Sequence, residues 1–95
     1  VTTGADAVAA VLAGTGSTVV FGLPGVHNHA LWPACSRAGI RLVGARHEQG
    51  VAFAADGYAR VTSDVGVALV TTGPGAANTI GALGEAWAGR SPVVV

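Results

Sequence analysis

The sequence has 95 residues, 51% of them apolar and 11% charged, with five basic and five acidic side chains and a net charge of zero. That length supports one small core, so the chain is one domain or part of one. All the basic residues are Arg and they form no cluster, so neither nucleic acid nor an anionic membrane is favoured, and a small molecule is the expected partner.

Gly, Asp or Arg interrupts each apolar stretch well before the roughly 18 residues that a membrane helix needs. The first basic residue is Arg37, so the opening residues do not read as a signal peptide. The single cysteine, Cys35, cannot form an internal disulfide, which fits a reducing cytoplasm. The chain opens on Val1 and closes on the β-branched run Pro92–Val95 with no turn after it, which reads as a fragment cut inside a sheet.

Thr3 followed by Asp6 resembles a capping box, ahead of an Ala-rich helix in which Val8, Val11 and Leu12 share a face and which ends near Gly14 to Gly16. Thr18–Leu23 is a buried strand running into a Pro24-Gly25 turn. A helix is predicted from about His29 to Ala38, a strand over Ile40–Ala45, and a helix over Glu48–Arg60. Asp64–Val70 gives a third strand and Gly73-Pro74-Gly75 a turn. A helix over about Ala76–Trp87 and a strand from Pro92 to Val95 complete the pattern. Apolar strands alternating with helices imply an α/β fold, a parallel sheet with helices on both faces. Ligands of such sheets sit at the carboxyl ends of the strands, where Leu23–Val26, Arg46–Gln49 and Thr71–Gly75 can converge.

Glu48 stands where a strand hands over to a helix, in the least polar neighbourhood of any acid in the chain, and there its pKa can be raised for proton transfer. On spacing alone, the plainer reading is an acid placed favourably at the positive end of a helix dipole. Gly73–Asn78 approaches a phosphate-binding glycine motif but lacks its third glycine, and a tight turn explains it as well. His27, His29 and His47 invite a metal, yet His27 and His29 point to different sides, so solvent-facing or capping roles are favoured. Trp32 and Trp87 read as core or interface residues. Asp56, Gly57 and Tyr58 fall mid-helix, where close packing is the expected reason for two weak helix formers.

The run RHEQGVAFAADGYARVTSDVGVALVTTGPGAANTIGALGEAWAGRSPVVV from Arg46 onward, preceded by VFGLPG, resembles the thiamine-diphosphate enzyme superfamily, in particular its acetolactate synthase branch. The similarity covers residues 5 to 95 and three motifs in order. It implies the amino-terminal, pyrimidine-binding domain, of which this chain would be about the first half. Glu48 matches the glutamate that hydrogen-bonds N1′ of the aminopyrimidine, so that the 4′-amino group becomes acidic enough to take the proton from C2 of the thiazolium. Pro24, Gly25, Pro74 and Asn78 match positions lining the pyrimidine pocket.

By the same resemblance, the substrate is a 2-oxo acid that is decarboxylated and ligated, and the diphosphate and its Mg²⁺ are held by another domain. That domain is usually supplied by a second subunit of a homodimer or homotetramer, and FAD is left open as a further cofactor. Val26 stands where acetolactate synthases carry a second glycine and is followed by His27 and Asn28, a trio that could set substrate choice. GALGEAWAGRSPVVV is also similar to benzoylformate decarboxylase, whose catalytic histidine would align with Thr71. Two readings of other kinds stand beside this one. The first is a Rossmann-type module binding a pyrophosphate at Gly73–Asn78, and the second is a non-catalytic relative kept for assembly.

Overall fold

A computed structural model describes residues 2–95. The first helix, α1 (Gly4–Gly14), starts at a complete capping box: the Asp6 N–H donates to the Thr3 hydroxyl, and the Thr3 N–H donates to the Asp6 carboxylate. Those bonds and a 2.7 Å ion pair with Arg37 hold the Asp6 carboxyl down at about 2. The inward face is Ala5, Ala9 and Leu12, while Val8 and Val11 are exposed, a correction to the apolar face expected from the larger side chains. Small residues turn inward because α1 lies against α2 (Leu31–Arg37), and alanines permit close approach.

Strand β1 (Val19–Gly22) lies between β2 (Arg41–Gly44) and β3 (Gly66–Leu69), with β4 (Val93–Val94) beyond β3, all parallel. Backbone bonds from Arg41 to Thr18 and from Leu23 to Leu69 carry the pairing of β1 to the ends expected from sequence. Side chains alternate between two cores. Val20 and Val67 join Ala9, Ala34, Cys35 and Ile40 under α1 and α2. Ala68, with Phe21 and Leu23, meets Val51 and Ala55 of α3 (Glu48–Thr62) on the other face. Cys35 is free and fully buried, and burial pushes its thiol pKa up.

Helices cover both faces as expected, α1 and α2 on one and α3 with α5 on the other. Helix α3 lies over β1 and β3, but beside β2 an open groove of about 620 Å³ is lined by Thr18, Val19, Phe21, Arg41, Val43 and Tyr58. The last predicted helix is two helices, α4 (Pro74–Ala77) and α5 (Ile80–Ala88). Thr79 causes the break: its hydroxyl and its N–H both donate to the Ala76 carbonyl, the acceptor that Ile80 would otherwise use. Helix α5 packs on α3 and is tied to it by Arg60, which donates to the Glu85 carbonyl.

The weak helix formers in α3 divide. Asp56 is buried and grips Arg60 at 3.0 Å and 3.1 Å; Ser91 and Arg60 hold its carboxyl below the usual range. Gly57 is exposed with open space around it, so close packing does not explain it. The close approach is at Gly66 instead, where any Cβ would collide with the Ala55 carbonyl. Trp87 is 88% exposed and belongs to no core of this chain.

Candidate functional site

The sheet order places β1 between β2 and β3, so the chain runs from β1 to β2 on one side and then crosses back to β3 on the other. Parallel sheets open a crevice at such a reversal, beyond the carboxyl ends of the strands. The three segments expected to converge meet there. Strand β1 delivers Pro24, Gly25 and Val26; β2 leads through His47 to Glu48; β3 leads to Thr71 and the glycine turn.

Thr71 is the post around which they close. A Cβ added to Gly25 would lie 2.5 Å from the Thr71 Cβ, and one added to Gly75 would lie 2.8 Å from the Thr71 Cγ2 and 3.3 Å from the Glu48 Oε1. A side chain at either position would collide with Thr71, so glycine lets both turns close on Thr71, with Gly75 brought beside Glu48. Gly73 adopts a φ of 71°, a conformation suited to glycine, and Pro74 opens α4 with its φ already helical.

Glu48 is the first residue of α3, behind His47, whose ring nitrogen accepts from the Gln49 N–H. That bond makes His47 a capping histidine. The Glu48 Oε2 accepts from the Asn78 amide at 3.1 Å, which leaves Oε1 on the side of Gly75. The Asn78 bond first, then the backbone N–H of Glu48 itself, hold its carboxyl below the ordinary range. Burial works in the opposite direction but is outweighed, because Glu48 is only half buried here. The raised pKa expected of an acid in apolar surroundings is thus corrected: this chain presents an ionised carboxylate at neutral pH.

The structure brings Gly25, Glu48, Gly75 and Asn78 together and leaves Pro24 and Pro74 exposed on the rim. Val26 is 88% exposed. His27 is exposed and hydrogen-bonds the Thr72 hydroxyl through Nδ1, whereas Asn28 is buried and spends its carboxamide on Leu23 and Gly25. Sequence reasoning missed Thr71 as a builder of the site. The available signal was its place directly after a strand and between two glycine turns. Among the described residues, no group of three or more His, Cys, Asp or Glu side chains could hold a metal. A pyrophosphate at the glycine turn is opposed by the Glu48 carboxylate facing it and by the four-residue length of α4.

Residues 2–95 match the family of thiamine pyrophosphate enzymes, in their N-terminal TPP binding domain. The chain belongs to this family. Among its relatives are the probable 2-ketoarginine decarboxylase AruI of Pseudomonas aeruginosa, 47% identical over 98% of this chain and 17% of its own length, and 2-hydroxyacyl-CoA lyase 2 of mouse, 49% identical over 97% of this chain and 15% of its own. The acetolactate synthase large subunit IlvG of Mycobacterium tuberculosis is 44% identical over 88% of this chain and 15% of its own length. The chain therefore spans about one-sixth of the length of these relatives.

The residues fit an aminopyrimidine of the thiamine pyrophosphate cofactor. A flat ring needs backbone against its faces and a carboxyl group at its edge, and the chain brings the Gly25 and Gly75 turns and the Glu48 carboxylate to one place. Among the described residues, no helix is long and apolar enough to cross a membrane.

Proposed function

We propose that the full-length protein carries out thiamine-diphosphate-dependent decarboxylation of a 2-oxo acid followed by carboligation, as in acetolactate synthases, with this chain supplying the first part of the pyrimidine-binding domain. The observation that carries the reading is the Glu48 carboxylate, held by Asn78 through Oε2 with Oε1 on the side of Gly75, where two glycine turns close on Thr71. When bound, the cofactor supplies a carbanion-forming thiazolium carbon and an electron sink for the departing carboxylate. Glu48 would share a proton with N1′ of the bound pyrimidine, and Asn78, which donates to Oε2, would keep the carboxyl group oriented for this. Pro24, Gly25 and Pro74 wall the ring. Cover by the ring and the rest of the protein withdraws Glu48 from water, which moves its pKa up from the low value of the open site and makes proton sharing more even.

Mg²⁺ and the diphosphate are held by a domain outside this chain, from a second subunit of a homodimer or homotetramer. Val26 and His27 face the substrate side from the β1 rim. A second reading, cleavage without ligation, is favoured by the decarboxylase and the lyase, whose identities match or exceed that of the acetolactate synthase.

Product analysis separates the two. With thiamine diphosphate and Mg²⁺, ligation of pyruvate yields one acetolactate and one CO₂ from two pyruvates. An aldehyde with CO₂ and no condensed product supports the second reading. Absence of cofactor-dependent turnover with 2-oxo acids and 2-hydroxyacyl thioesters contradicts both.

A further inference from the structure

Residues 26 to 30 form neither helix nor strand, yet they connect β1 to α2 across the rim of the site. Within this segment Asn28 is 3% exposed, one of three buried polar residues among the described residues. Its carboxamide is satisfied at both ends inside the loop: Oδ1 accepts from the Gly25 N–H at 2.7 Å and Nδ2 donates to the Leu23 carbonyl at 3.0 Å. Its backbone carbonyl accepts from the Leu31 N–H at 3.0 Å, fixing the entry to α2. One N–H and one lone pair of this carboxamide remain, but at 3% exposure the side chain is not presented to a substrate. What it does control is Gly25, which has no clearance from Thr71, the residue that also abuts Gly75 beside Glu48.

We infer that Asn28 is a positioning residue, a brace that holds the Pro24-Gly25 turn against Thr71 and so sets where the backbone of that turn stands beside the pyrimidine ring. This rests on the reading of the site as a thiamine diphosphate site. Removing the carboxamide leaves the Gly25 N–H and the Leu23 carbonyl without partners, and the turn relaxes away from Thr71 to reach water. The cross-link from His27 to Thr72 stays with the same loop but ties its outer edge only, so it does not replace the brace. The effect is confined to the ring end of the cofactor, because the diphosphate end is bound elsewhere.

The test uses full-length Asn28→Ala and Asn28→Ser, with thiamine diphosphate binding measured at saturating Mg²⁺ and inorganic pyrophosphate as a competing probe. Loss of a buried hydrogen-bond partner at that turn raises the Kd for thiamine diphosphate by about tenfold. The inhibition constant of pyrophosphate stays as in the wild type. Asn28→Asp, which keeps the acceptor for Gly25 but not the donor to Leu23, falls between. A folded Ala or Ser variant that binds thiamine diphosphate as the wild type does overturns the inference, as does equal weakening of both probes. If Asn28→Ala does not fold, the Ser variant decides. Failure of the underlying reading looks different: wild-type protein then binds no thiamine diphosphate, or Glu48→Gln leaves C2–H exchange of the bound cofactor untouched.

Discussion

The charge state of the Glu48 carboxylate is governed first by the Asn78 amide, thirty residues away. Because the folded pKa lies below its ordinary 4.5, this contact contributes stability above that pH and loses it as pH falls through the lowered folded value. Asn78→Ala removes the largest of these influences, so the Glu48 pKa moves up toward 4.5. Carboxyl-carbon NMR titration of the cofactor-free protein checks this, and an unchanged or lower value contradicts it. The place of Glu48 at the start of α3 was legible in sequence from the strand-to-helix changeover. Its partner's effect was not, because the Asn78 amide reaches Glu48 only after β1 and β3 have paired. The role of Asn28 was hidden for a related reason. Sequence grouped it with Val26 and His27 as a residue that could set substrate choice, and its burial shows only once the turn folds back over it.

Among the elements, α3 connects the site to the core, with Glu48 at its start and Ala55 against β3. Gly66→Ala drives a Cβ into the Ala55 carbonyl, a backbone atom that cannot rotate away, and such overpacking costs about 1–3 kcal/mol or more. Gly57→Ala in the same helix meets open space and gains about 0.4–1 kcal/mol from reduced freedom of the unfolded chain. Denaturant midpoints of the two variants in the full-length protein should move in opposite directions, and a shared direction would contradict the packing described. All four strands and the first three helices follow from periodicity and from Gly or Pro at the changeovers. The division of α4 from α5 does not, since it depends on one hydroxyl competing for one carbonyl. The inward face of α1 was misread because small alanines, not valines, fit between packed helices.

At the scale of the molecule, the strand order β2-β1-β3-β4 turns three separate motifs into one crevice. Sequence predicted the parallel α/β sheet and the convergence of its carboxyl ends, since both follow from alternation. It could not show the groove beside β2, which depends on how far α3 extends across the face. The chain spans 15–17% of the length of these relatives, so the domain proposed to hold the diphosphate lies beyond what its sequence could show. The central claim is that Glu48 activates the cofactor in the assembled enzyme. Its most direct test is C2–H deuterium exchange of thiamine diphosphate bound to full-length Glu48→Gln, with Mg²⁺, read by NMR after acid quench. The account predicts a folded, cofactor-loaded protein in which exchange is slowed by roughly 10²–10⁴-fold; exchange at the wild-type rate in that protein would contradict it.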